Sequence, residues 1–240
     1  MAIAKNLVHS RYGGLMGRGA PTLDARFTEG LMNLTEAGRH LAVPKQTFHR
    51  WARGYRRGEP LLHVLERDHV LPVTFIALAE AYVLEALRDA GVRPRKIRPA
   101  LKKLQAEFGK QYVLTAKELA TDGIDVLWDF SRTPAGDGLI AADTGQHVIR
   151  EIVKGYVSYI NYDDEGNPRQ LQLPEWLPSK VVVDVHRSFG QPIFAGSGVR
   201  VTDVAGMIKA GDSAETVADE FGLDVADVRT SARILLGRAA

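Results

Sequence analysis

The sequence predicts a mostly α protein with a small β component: an N-terminal winged helix-turn-helix, a middle α+β segment and a C-terminal three-helix, helix-turn-helix-like bundle. Three observations lead there. Apolar residues recur at helical spacing, most clearly from Phe75 to Ala90. Capping residues, prolines and glycines punctuate two helix-turn-helix patterns, one beginning at Leu34 and one after Val201. Charge is divided along the chain: residues 1–115 hold 19 Lys+Arg against 10 Asp+Glu and residues 116–240 hold 12 against 19, so a net +2 conceals +9 followed by −7. A basic half is the electrostatic footprint of a polyanion binder, because neutralising phosphates releases condensed counterions. The acidic half needs another partner, which points to a DNA-binding module joined to a protein-interaction module.

The elements follow in order. Residues 1–33 contain a glycine-dense stretch from Gly13 to Gly19 and are expected to form a flexible arm; a Walker-type phosphate loop would require Gly-Lys followed by Ser or Thr, and none occurs. The winged helix-turn-helix is placed over residues 34–112. Thr35 is expected to cap a helix ending at Leu41, Ala42-Val43-Pro44 makes the turn, and Pro44 suits the start of a second helix over 45–53. The glycine-bounded turn Gly54-Tyr55-Arg56-Arg57-Gly58-Glu59-Pro60 is suited to act as a wing. A helix over 75–90 should stop at Gly91, and another spans 94–108, where Pro99 predicts a kink or a late start.

Residues 113–178 are expected to mix α and β structure, with Ile124–Phe130 as a strand and Gln146–Tyr156 as a helix. Tyr159–Tyr162 should pair with Gln170–Leu173 through the turn Asp163-Asp164-Glu165-Gly166-Asn167, whose spacing suits a turn and not a calcium loop. Residues 179–240 form the last domain. A strand, Val181–Val185, leads to three helices capped by Thr202, Ser213 and Asp224, the first two ending at Gly211 and Gly222. Val204, Ile208, Val217, Phe221, Val225, Val228 and Ile234 supply their core. The outside is acidic, so this geometry alone does not make a DNA reader.

Residues 45–53 carry the strongest functional signal. On a helical wheel Lys45, Gln46, His49, Arg50 and Arg53 share one arc, while Phe48, Trp51 and Ala52 share the opposite one. A cationic face without acids, placed after a tight turn, is what a recognition helix presents to a duplex. The candidate DNA-binding residues are therefore Lys45, Gln46, Thr47, His49, Arg50 and Arg53, with Arg56 and Arg57 from the following turn. His49 and Arg50 are best placed for base edges, Lys45 and Arg53 for phosphates. One short helix reads few base pairs, so a homodimer is expected, joined through the C-terminal bundle.

Other functions are disfavoured by composition. Absence of cysteine excludes disulfides, thiolate zinc sites and a cysteine nucleophile. No apolar run is long enough to span a bilayer and no secretory signal is evident, so a cytoplasmic protein without a membrane partner is expected. Seven histidines show no metal-helix spacing and no serine sits in a nucleophile elbow. His186 is the best catalytic candidate, but without a paired carboxylate or second histidine it reads as a loop residue. The expectation is a non-enzyme with no catalytic residue, cofactor or metal.

Two stretches resemble known families. Leu34–Trp51, together with Phe75–Glu80 and Ala90–Arg98, resembles the winged helix-turn-helix of MerR-like regulators. The segments Phe189–Gly196 and Ala210–Ala218 resemble the family known as domain of unknown function 433, although Gly196-Ser197-Gly198 stands where that family commonly has Gly-Thr-Arg, and Arg200 stands for its usual proline. The combination resembles a VapB-type antitoxin of a type II toxin–antitoxin system. That resemblance implies a PIN-domain ribonuclease toxin as partner, neutralised by binding, and operator double-stranded DNA, bound to repress the operon. The toxin contact is expected in the acidic half, between Gln146 and Leu173 or on the helices after Thr202. Tyr156, Tyr159, Tyr162 and Trp176 are candidate aromatic anchors, with packing of the middle strands as their other role. The alternative is a MerR-like transcription regulator responding to a small ligand in the middle region.

Overall fold

The structure, a computed structural model, describes residues 24–55, 58–66 and 69–237. A short helix α1 (Ala25–Thr28) leads into α2 (Leu34–His40) and α3 (Lys45–Arg53), the helix-turn-helix. Helix α4 (Phe75–Asp89) follows, then α5 (Arg98–Phe108), α6 (Asp122–Ser131) and α7 (Gln146–Val157). Strands β1 (Ile160–Tyr162), β2 (Pro168–Gln172), β3 (Val181–Asp184) and β4 (Ile193–Phe194) form one antiparallel sheet in sequence order. Helices α8 (Val201–Ala210), α9 (Ala214–Phe221) and α10 (Val225–Ser231) close the chain, α10 running into a π-helical turn over Ala232–Leu236. Among the described residues no helix is long and apolar enough to cross a membrane.

α4 lies at the centre, buried at every position from Phe75 to Leu87, Glu80 and Glu85 included. An amphipathic helix would keep one wet face; this one is covered all round by elements from both halves of the chain. Glu80 is tolerated because His63 supplies both donors it needs, its backbone amide at 2.8 Å and its Nδ1 at 2.5 Å. One continuous hydrophobic cluster runs from Leu31 to Val228, so residues on both sides of position 112 share a core. In the sheet, Leu171 pairs with Ile160 and with Val183, and this row of residues faces the core.

Several elements depart from expectation. Residues 1–23 of the proposed arm lie outside the described residues, but from Asp24 onward the chain is anchored. Arg26 joins Asp24 in an ion pair, reaches Asp163 at 2.6 Å in the β1–β2 turn, and is mostly buried. The cap of α2 is Asn33, whose side chain accepts from the amides of Thr35 and Glu36, and not Thr35. Ile124–Phe130 is helical: Ile124, Leu127 and Phe130 line up one turn apart facing the core, a spacing that outweighs the local β-branched content. Arg200 precedes α8 in the capping position that Thr202 was expected to fill. Pro99 is accommodated by a late start, since a 3₁₀ turn over Pro94–Lys96 comes first and the helix begins at Arg98. The acidic turn uses its own carboxylate, Asp163 Oδ1 accepting from the amides of Glu165 and Asn167.

α2 is tied to the far half of the chain through a buried histidine. His40 is fully buried, stacked on Trp176 at 5.7 Å, and neither ring nitrogen finds a hydrogen-bond partner among the described residues. Burial, reinforced by Arg39, pushes its pKa down to about 4 from an ordinary 6.5. Between those values the unfolded chain binds the proton and the folded chain does not. Stability is therefore intact above about pH 6.5 and falls as pH drops toward 4, by about 3 kcal/mol from this residue. Urea unfolding across this range should show the loss, and His40→Leu should flatten the slope; an unchanged slope in the variant would refute the assignment.

Candidate nucleic-acid interface

The helix-turn-helix is built by close packing. Ala42 takes a left-handed conformation at φ 54° and the Val43 amide returns to Gly38 O at 2.8 Å, folding the turn back on α2. A Cβ at Gly38 would lie 3.0 Å from Val43 O and 3.4 Å from Phe48 Cβ, so glycine there sets how closely the helices approach. Pro44 precedes α3, its carbonyl accepting from Thr47 and Phe48. Phe48, Trp51 and Ala52 are fully buried. The Trp51 carbonyl also accepts from Leu61 at 2.7 Å, fastening the returning loop behind the helix. Burying three side chains of one arc fixes which arc faces out.

That outer arc carries Lys45, Gln46 and Arg50, all exposed, with Thr47, His49 and Arg53 half-buried. His49 is less available than its wheel position suggests, because Nε2 is out of solvent without a partner. Burial, then the charges of Lys45 and Arg53, hold its pKa below the ordinary imidazole value. Arg56 and Arg57 lie outside the described residues. The described part of the expected wing, with the loop up to Val73, is irregular apart from a single bridge pairing Val73 with Met32.

Beside α3 opens a groove of about 980 Å³ that the sequence did not indicate. Thr47, Arg50 and Tyr55 line it together with Arg88, Arg93 and Arg95. Arg93 and Arg95 straddle Pro94 and are exposed. The helix expected over 94–108 would have carried Arg95; the recoverable signal was the Arg-Pro-Arg-Lys run, since a proline opening a short turn removes that run from the helix. Among the described residues Arg50, Arg93 and Arg95 form no ion pair, whereas Arg88 is paired with Glu85 and Asp89.

The four aromatic residues expected to anchor a toxin are largely structural. Trp176 has no exposed surface and packs on His40, so it offers nothing to a partner. Tyr156 packs against Tyr82 with ring centroids 4.9 Å apart and tilted by 39°, and it donates to Asp89 at 3.0 Å. The Tyr162 hydroxyl is buried, with Lys117 over its ring at 4.8 Å. Tyr159 is half-buried against the core. Each ring fills space between elements of the fold, which sequence spacing could not distinguish from an interface. Exposed carboxylates concentrate elsewhere, at Asp212, Glu215, Asp219, Glu220 and Asp224 on the C-terminal bundle. His186 is an exposed loop residue after β3, its amide bonded to Asp184. Among the described residues no group of three or more acids and histidines is arranged to hold a metal ion.

Comparison with known proteins agrees with this layout. Residues 30–101 match the family described as "Putative DNA-binding HTH domain", and residues 181–233 match "Protein of unknown function (DUF433)". The Mycobacterium tuberculosis protein named "Putative antitoxin VapB45" is 40% identical over 226 residues, covering 85% of this chain and 93% of that one. "Uncharacterized protein Rv2308" from the same organism is 26% identical over 204 residues, covering 81% of this chain and 85% of the relative. The crystal structure of Rv2018 from Mycobacterium tuberculosis superposes with a TM-score of 0.71 at 34% identity, covering 86% of this chain and 99% of that one. With a helix-turn-helix at one end, domain 433 at the other and near end-to-end similarity, this chain belongs to the VapB45-like family of VapB-type antitoxins.

Proposed function

We propose that this protein is the antitoxin of a type II pair: it neutralises a PIN-domain ribonuclease toxin and, as a homodimer, binds operator DNA to repress its own operon. The carrying observation is the one-sided α3, which buries Phe48, Trp51 and Ala52 and leaves Lys45, Gln46 and Arg50 facing water without a carboxylate partner among the described residues. The relative named as an antitoxin supports the pairing with a toxin. Lys45 and Arg53 suit phosphate contacts; Gln46 and Arg50 suit base edges, with Thr47 and His49 at the rim. Arg50→Ala should weaken operator binding by about 1–3 kcal/mol and relax specificity, as loss of a bidentate base contact does. Unchanged operator affinity in both Arg50→Ala and Gln46→Ala would sink this assignment. Light scattering should show a dimer; a monomer both free and on DNA would remove the homodimer.

The toxin contact is assigned to the acidic bundle, in place of the packed aromatics. A ribonuclease presents a basic channel to RNA, and clustered carboxylates on α9 and its flanks complement such a channel. Co-expression with the adjacent toxin gene should yield a stoichiometric complex lacking ribonuclease activity. Asp219→Lys/Glu220→Lys should lose neutralisation while keeping operator affinity, because both side chains are exposed and neither lines the groove beside α3. Full neutralisation by that variant would place the contact elsewhere.

A further inference from the structure

We propose that the groove between α3 and the Gly91–Arg95 segment is a phosphate clamp, in which Arg93 and Arg95 grip the sugar-phosphate backbone of the duplex whose base edges α3 faces. The clamp rests on the DNA-binding reading above and adds a second, sequence-independent contact to it. Thr47 and Arg50 of α3 line it together with Arg88, Arg93 and Arg95, and among the described residues no carboxylate side chain lines it. Sites for small organic ligands are mostly apolar with a few placed polar groups, whereas this groove is open and arginine-lined. Guanidinium groups match phosphate oxygens in bidentate fashion, and several lining one groove repel one another until an anion enters. Arg88, already paired with Glu85 and Asp89, contributes little more than background.

The Gly91–Arg95 segment is held rigidly. Val92 forms a β-bridge with Ile140, the Arg93 amide donates to Leu139 O at 2.8 Å, and the Ala141 amide donates to Gly91 O at 3.0 Å. Gly91 sits at φ +84°, and a Cβ there would fall 2.4 Å from Thr144 Oγ1, so only glycine permits this approach. Arg93 and Arg95 therefore project from a backbone splinted by residues 139–141, and holding that backbone in place lowers the ordering cost of gripping a strand.

The test uses the full-length protein and two labelled duplexes of equal length, one from the region upstream of its own gene and one with that sequence shuffled, titrated by fluorescence anisotropy between about 50 and 200 mM salt. Arg93→Ala/Arg95→Ala should weaken both duplexes alike and reduce the salt slope by about two, one per lost phosphate contact. Arg93→Lys/Arg95→Lys should restore most of the slope. Arg50→Ala should instead narrow the difference between the duplexes. Both arginines are exposed, and the one hydrogen bond lost, from Arg93 Nη1 to Gly138 O at 3.3 Å, is exposed too, so the thermal midpoint should barely move. An unchanged slope in the double alanine variant, on duplexes the wild type binds, overturns the clamp and leaves the α3 assignment standing. No binding of either duplex by the wild type removes the DNA reading and the clamp together. Equal binding to duplex RNA, with the same slope loss, overturns the assignment to DNA.

Discussion

Burial of α4 on all sides is the constraint from which the rest of the molecule follows. A helix wet on one face needs cover from one neighbour. A helix dry from Phe75 to Leu87 needs it all round, and the chain supplies that cover from α1, α7, β2 and the loops between. Two carboxylates lie within this dry stretch. Glu80 is held by His63; burial opposes the charged ring, but the carboxylate beside it prevails and raises the His63 pKa. Glu85 is only partly compensated by Arg88, and burial pushes its pKa up to about 7. Losing the His63 partner would leave an uncompensated buried charge, a more severe lesion than the loss of an exposed pair.

Because α4 draws its cover from both halves, the division of charge along the sequence has no matching gap in space. The basic half contributes α4 and the acidic half contributes α7 and β2, which pack against it. Arg26 to Asp163 and His40 to Trp176 stitch the halves again at two further points. Charge patterning reports what a surface meets and is silent about which residues share a core.

The helix-turn-helix and the C-terminal bundle were legible because their signals are local. Pro44, the opposed arcs of residues 45–53 and the glycine stops at Gly211 and Gly222 each act within one or two turns of the chain. The β1–β2 hairpin was legible for the same reason. The strand expected at Ile124–Phe130 failed because alternation and helical spacing overlap in a short apolar run, and packing against α5 and α7 decided for the helix. Trp176 as an anchor failed similarly, since an aromatic ring suits a core and an interface equally and only its burial separates the two. Part of the candidate site was never accessible to sequence reasoning: Arg50 and Arg93, 43 positions apart in the chain, line one groove only once the tertiary fold is formed.

How the remaining cations are used sharpens the case for the interface. Arg26, Lys110, Arg150 and Arg229 each have a carboxylate at ion-pair distance and stitch one element to another. Lys45, Arg50, Arg53 and Arg95 do not, among the described residues, and they share this with other surface cations such as Arg39, Lys154, Arg169 and Arg233. An exposed ion pair adds little to stability, so leaving these side chains unpaired costs the fold almost nothing. It does keep their full charge available to an incoming polyanion. What marks the groove beside α3 is the convergence of Arg50, Arg93 and Arg95 from two segments of the chain, none of them ion-paired among the described residues, and that convergence fits the phosphate contact proposed above.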